Sequence, residues 1–265
     1  MNDRISHLHS LIQQRKFDGD RQKKIASEIR DHLIANSRHI KQPNFAQISD
    51  GDLGDLFQLT DELCFDGYVG RVCESVADLP LTFRLSTRMT KSGGTTTMFR
   101  TREANKNLLS FEIAIATTPL FGTFPNAGSN EQNETSAVGG VCCRNRVEAL
   151  QRIMEHEMVH LCELLLTGDS SCAARPFKSI VYRFFGHTES NHQLLTPADI
   201  ARKKLGIIPG DQVTFDFQGR SMKGTVNRIT KRATVLVPDP RGTPYSDGER
   251  YATYYVPLRQ LKKTG

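Results

Sequence analysis

Apolar residues recur at helical spacing through the first third of the chain. Ile5, Leu8, Leu11 and Ile12 fall on one face, and so do Ile25, Ile29 and Leu33. Residues 1 to about 65 therefore read as helical, with Asp18-Gly19 separating the first two helices. The period then changes to two. Leu81, Phe83 and Leu85 alternate with Thr82 and Arg84, and Phe111, Ile113 and Ile115 alternate with Glu112 and Ala114. Between them lie a turn, Lys91-Ser92-Gly93-Gly94, and a Thr-rich middle strand near Thr95 to Phe99. The pattern predicts a small three-stranded sheet with one polar face. Gly122 to Gly140 is polar, Gly-rich and aperiodic, and reads as a long surface loop, either a lid or an insertion.

The best-specified element follows. Asn145, with Glu148 three residues on, forms a capping box, and Gly168 can end the helix in the left-handed region. Val147, Leu150, Met154, Met158, Leu161 and Leu165 make one apolar stripe; Ala149, Ile153, His156, His160 and Leu164 make a second. A helix apolar on two sides is buried on both, so it should be central. A second helix is expected from Arg175 to about Phe185, with Pro176 in its first turn and Gly186 as its stop, and a short one from Thr196 to Leu205. From Gly206 the period is two again. Val213, Phe215 and Phe217 face one way, with Val226, Ile229, Val235 and Val237 continuing the series. Five short strands in about 60 residues suggest a small barrel of the SH3 type. The expected architecture is α+β: a domain over residues 1–199 and a small β-barrel over 206–265.

Composition narrows the class. With 38% hydrophobic and 24% charged residues in 265, the chain can build a folded core. The opening MNDRISHLHSLIQQRK has no apolar h-region, and no apolar run reaches the ~20 residues of a membrane span. The six cysteines form no C-x-x-C pair, which fits free thiols in a reducing cytoplasm. Charge is uneven: residues 200–265 hold 13 Lys and Arg against five Asp and Glu, a surplus of eight, which leaves the first 199 at −2 of a whole-chain +6. The basic part suggests a polyanion partner, DNA or RNA. Candidate contacts are Arg220, Lys223, Arg228, Lys231 and Arg232, beside Tyr245, Tyr251, Tyr254 and Tyr255. A peptide-binding module is the rival reading.

The candidate chemistry is His156-Glu157-Met158-Val159-His160, an H-E-x-x-H. Two histidines four apart on a helix point the same way, so both imidazoles can reach one ion, and the glutamate beside the first projects toward a metal-activated water. Chance supplies about 0.01 such spellings in a chain of this composition. A catalytic zinc needs a third protein ligand and an open fourth position. Cys172, 12 residues after His160 and just before the next helix, is one candidate; His187, beyond the far end of that helix, is the alternative. Helix rise argues that both cannot ligate, and His192 and Glu189 share the position of His187.

"LTFRLSTRMTKSGGTTT", "FEIAIA", "HEMVHL" and "PFKSIVYRFFGHT", in this order, resemble the SprT-like family of zinc metallopeptidases, to which Spartan belongs. The resemblance spans about residues 50–195. It implies a zincin-like domain, Zn²⁺ on His156 and His160, Glu157 as general base, and substrates among proteins bound to DNA. Two departures stand out. The family takes its third ligand from an H-G-x-x-F segment, where this chain has Ser171-Cys172-Ala173-Ala174-Arg175-Pro176-Phe177. Bacterial members often end in a zinc ribbon, where this chain has the basic β region. The expectation is a zinc-dependent metalloprotease acting on nucleic-acid-associated proteins. The alternative is a non-catalytic nucleic-acid-binding protein with a structural zinc.

Overall fold

Short polar side chains set where the N-terminal helices begin. α1 (Asp3–Gln14) is followed by α2 (Gly19–Asn36), started by the Asp18 carboxylate, which accepts from the Arg21 amide. α3 (Asp50–Phe65) starts at a reciprocal box between Ser49 and Asp52. Asp52 also accepts from the Ser37 hydroxyl and faces His39, tying the end of α2 to the start of α3. Burial pushes that carboxylate up, but the Ser37 and Ser49 hydrogen bonds hold it below its ordinary value. Asp66 and Gly67 then take left-handed backbone, φ 54° and 72°, and the chain turns straight into α4 (Tyr68–Val76). The Asp61 carboxylate receives the Val69 and Gly70 amides at 3.0 and 2.8 Å. α4 was not expected from its periodicity.

The computed structural model describes residues 3–103, 106–124 and 135–264. It is mixed α+β, and its two compact units are Met1–Leu194 and Leu195–Gly265. Among the described residues no helix is long and apolar enough to cross a membrane.

In the first unit, β1 (Thr82–Ser86), β2 (Gly94–Glu103) and β3 (Lys106–Ala116) form one sheet in the order β1-β3-β2. The Thr-rich strand, middle in sequence, is thus at the edge. β3 is central because it carries the buried run Phe111, Ile113, Ala114, Ile115 and Ala116. It pairs parallel with β1 and antiparallel with β2. β2, rich in Thr and Arg, tolerates an open edge. Of the loop expected from Gly122 to Gly140, the start belongs to α5 (Thr117–Thr123) and the end to a hairpin of β4 (Ser136–Val138) and β5 (Val141–Cys143), because Gly139 and Gly140 turn the chain back; residues 125–134 lie outside the described residues.

α6 (Arg146–Thr167) is the axis of this unit: α2, α3, α4, α5, α7 and strands of both sheets touch it. Asn145 caps it through the Glu148 amide. The expected box is half made, because the Glu148 carboxylate takes the Arg144 amide instead. Arg146, 2% exposed, sends its guanidinium into the carbonyls of Phe45, Phe121 and Phe124 and lies 4.6 Å from the Phe121 ring centre. α6 and α7 (Arg175–Phe185) both end at left-handed glycines, Gly168 and Gly186.

In the second unit, α8 (Pro197–Leu205) precedes β6 (Gln212–Phe217), β7 (Arg220–Ile229), β8 (Ala233–Pro244), β9 (Arg250–Val256) and the two-residue β10 (Lys262–Lys263). The sheet order is β10-β6-β7-β8-β9, antiparallel throughout. α8 belongs here because Ala201 and Ile207 pack with Val213, Phe215 and Val235, so the division falls at 194/195 rather than at 199–206. Phe217 does not continue the buried series of Val213 and Phe215. It lies at the sheet's end, 44% exposed, edge-on to Tyr254.

Leu150 is fully buried on the central helix. Leu150→Ala should destabilise the first unit by about 2–5 kcal/mol, read as a lowered urea midpoint.

Candidate metal centre

One turn of α6 places His156 and His160 side by side, with their Nε2 atoms 3.1 Å apart. That is close to the ~3.3 Å edge of a tetrahedron with metal–nitrogen bonds of about 2.0–2.1 Å. The Cys172 Sγ completes a group whose three ligand atoms all lie within 4.8 Å of one another. Phe177, fully buried at the start of α7, supports both rings, with centroids 4.8 and 4.4 Å away. The α6–α7 turn therefore brings Cys172 back to the histidines, and the group can hold a metal ion.

The outer contacts fix which nitrogen is free. Glu163 accepts the Ser170 hydroxyl proton at 2.5 Å, so the Ser170 oxygen accepts from His160 Nδ1–H at 2.7 Å. The tautomer that follows leaves a lone pair on His160 Nε2, directed at His156. Burial, with the neighbouring His160 next, lowers the His156 pKa to about 3, and burial lowers His160 to about 4. Both rings are therefore neutral at ordinary pH, the form able to bind a metal. Sequence reasoning missed Ser170 and Glu163; a Ser just past the Gly168 stop, paired with a Glu in the last turns of α6, carries no periodic signal.

Glu157 sits on the β2 side of α6. Its Oε2 accepts the Thr96 hydroxyl at 2.9 Å, and burial pushes its pKa up to about 8 against that hydrogen bond. β2 can come this close because residue 94 is glycine: a Cβ there would lie 2.8 Å from Glu157 Oε1 and 2.9 Å from its Cγ. The K-S-G-G turn is thus a wall of the site. Together these groups line a cleft of about 490 Å³.

His187, the alternative third candidate, is not brought into this group. It is buried elsewhere, its Nε2 2.9 Å from Glu155 Oε2, with Gly139 packed on its other side. Burial would raise Glu155, but the Arg152 charge and the His187 hydrogen bond hold it below its ordinary value. His192, grouped with His187 on helix rise, does reach the cleft. Main-chain pairing of Asn191 with Gly139 and of His192 with Val138 folds the segment after α7 back over the β4–β5 hairpin. It lines the cleft without joining the ligand group.

Of the basic residues in the second unit, Lys223 and Arg228 face solvent from β7. Lys231 and Arg232 sit in the β7–β8 turn. Arg220 is exposed opposite Phe217, on the other face. Comparison of the chain with protein-family models, with curated proteins and with solved structures gave no match.

Two outcomes are expected. Ser170→Ala should weaken metal affinity by about 10- to 100-fold, measured by competition with a chromophoric chelator. In chelator-treated protein the unfolded imidazoles take up protons near pH 6.5 that the folded ones refuse, so stability falls as pH drops below 6.5. Folded Glu157 keeps a proton the unfolded chain loses above 4.5, so its contribution fades as pH rises toward 8. Two imidazoles outweigh one carboxylate below 6.5, so for these groups urea midpoints should peak near pH 6.5. Glu157→Gln should flatten the limb from 6.5 to 8.

Proposed function

We propose that the first unit is a zinc-dependent metallopeptidase. The observation that carries this is the convergence of His156 Nε2, His160 Nε2 and Cys172 Sγ beside the Glu157 carboxylate on one wall of an open cleft. Two nitrogens and one thiolate suit zinc among divalent ions, and three ligands leave one position open, as hydrolytic sites require. The structural-zinc alternative needs a fourth protein ligand, and among the described residues the group has three members. The order of motifs resembles the SprT-like peptidases, with Cys172 in place of the family's third histidine. The same reading takes the first unit as zincin-like, the second as an SH3-like barrel, and the setting as a reducing cytoplasm.

Zinc, when bound, supplies Lewis acidity toward a carbonyl and lowers the pKa of water to about 7. The chain's own groups do the rest. Glu157 accepts the proton of the attacking water and hands it to the departing amine. Thr96 holds that carboxylate in place, and a cation on the adjacent histidines favours its ionised form over the protonated one that burial otherwise imposes. Ser170 and Glu163 orient His160. The open edge of β2, which runs along the cleft through Gly94, Thr95 and Thr96, offers an extended peptide main-chain hydrogen bonds.

The test is peptide or casein hydrolysis by zinc-loaded protein with the metal content measured alongside. Glu157→Gln should keep the metal and lose at least ~100-fold in turnover, as expected for a lost general base. A fully metallated Glu157→Gln protein that cleaves like wild type would end the proposal. Gly94→Ala should also retain metal and lower kcat, because the added methyl displaces the Glu157 carboxylate. Cys172→Ser should lower zinc affinity and remove the sulfur shell from the X-ray absorption spectrum of the bound zinc.

A further inference from the structure

Strand register sorts the cations of the second unit by face. Val213, Phe215, Val226, Ala233 and Val235 point into its core. The intervening positions make the other face, where Leu236 is buried at 8% exposure and its neighbours are half-buried or exposed. Pairing sets Lys262 beside Thr214 and Thr214 beside Lys223. Gln212, Thr225, Leu236 and Thr253 form the next row. Arg228, Thr234 and Tyr255 form the third. Arg228 belongs to this face because of the bulge between Val226 and Arg228. In strict alternation it would follow Gly224 and Val226 inward; the extra residue sends Ile229 inward instead.

The face so built has an uncommon composition. Lys223, Arg228 and Lys262 are exposed, and among the described residues none of them pairs with an acid. No acidic residue lies in the three rows; the nearest in the series, Asp216, is two positions beyond Thr214. Threonines, with Gln212 and the buried Leu236 in the middle row, fill the spaces between the cations. Tyr255 stands out from β9 at 68% exposure, more than any other large apolar or aromatic residue in the described chain. Tyr254, its neighbour, turns the other way and packs on Phe215, so the two tyrosines have different work.

We propose that this face binds single-stranded nucleic acid, with Lys262, Lys223 and Arg228 on phosphates and Tyr255 stacked on a base. Charge without counter-charge calls for a polyanion. The free aromatic plane narrows the choice: duplex bases are stacked on one another and offer no face to a ring on a flat sheet, and an acidic peptide offers none either. Four interstrand steps of ~4.8 Å make the face about 19 Å across, room for a few nucleotides. The proposal uses no residue of the metal centre and stands or falls apart from it.

The experiment is fluorescence anisotropy on the full chain, titrated into a labelled 15-nucleotide dT or U strand and into a 15-base-pair duplex at several salt concentrations. The single strand should bind more tightly than the duplex, with log K falling by about 2 per decade of salt for three phosphate contacts. Lys223→Glu with Arg228→Glu should weaken binding at least tenfold. Tyr255→Ala should cost about 5- to 150-fold with the salt slope unchanged, and Tyr255→Phe should restore it. Arg220→Glu, on the opposite face, should do much less than either cationic change. All these side chains are exposed, and circular dichroism checks that each variant is folded. Absence of binding at low salt, preference for duplex, a Tyr255→Ala affinity equal to wild type, or an equal loss with Arg220→Glu would each overturn the proposal.

Discussion

A helix buried along both sides can keep ionisable groups only if each finds a way to be neutral or partnered, and this constraint organises the first unit. α6 carries Arg152, Glu155, His156, Glu157 and His160 within three turns. Arg152 and Glu155 neutralise one another, and His187 completes their hydrogen bonding. The two histidines stay uncharged, and Glu157 holds on to a proton under one threonine hydroxyl. Leaving any of these unsatisfied would cost several kcal/mol, on the order of the whole stability of a domain. The helix thus separates a closed polar cluster from an open one. The open one has ligand lone pairs and a carboxylate, but no charge of its own to balance a cation's field except through Cys172 and Glu157.

Much of this was legible in the chain because it is local. The i, i+4 histidines, the Asn145 cap, the Gly168 and Gly186 stops and the reach of Cys172 across a short turn all follow from helix geometry over a few residues. What was not legible depends on distant pairing. Nothing in the spelling of Thr95 to Phe99 says that this strand lies at an edge; that is decided by β3, whose double burial claims the centre. The straight rise of α7 groups His192 with His187, whereas the segment after α7 doubles back by pairing with Val138 and Gly139 and separates the two. α4 was missed because nine residues between two reversals carry too little period to see.

In the second unit the same limit appears as parity. The basic residues were readable as a surplus, but their faces were not. A bulge changes which positions point out, so Arg220 and Arg228 sit on opposite sides despite equal spacing parity. Lys262 enters the face only through a two-residue strand that periodicity cannot detect.

Arg146 carries a further consequence, for folding order. Its guanidinium is shared among carbonyls from residues 45, 121 and 124, segments about 100 and about 20 positions away along the chain. A cation cannot leave water for one of them alone, since the partial cage would cost more in desolvation than it returns. The 43–45 turn, the end of α5 and the first turn of α6 must therefore dock together or not at all. The helix that carries the site is anchored by a cooperative event far from its histidines, and slow hydrogen exchange should be shared by three segments that look unrelated in sequence.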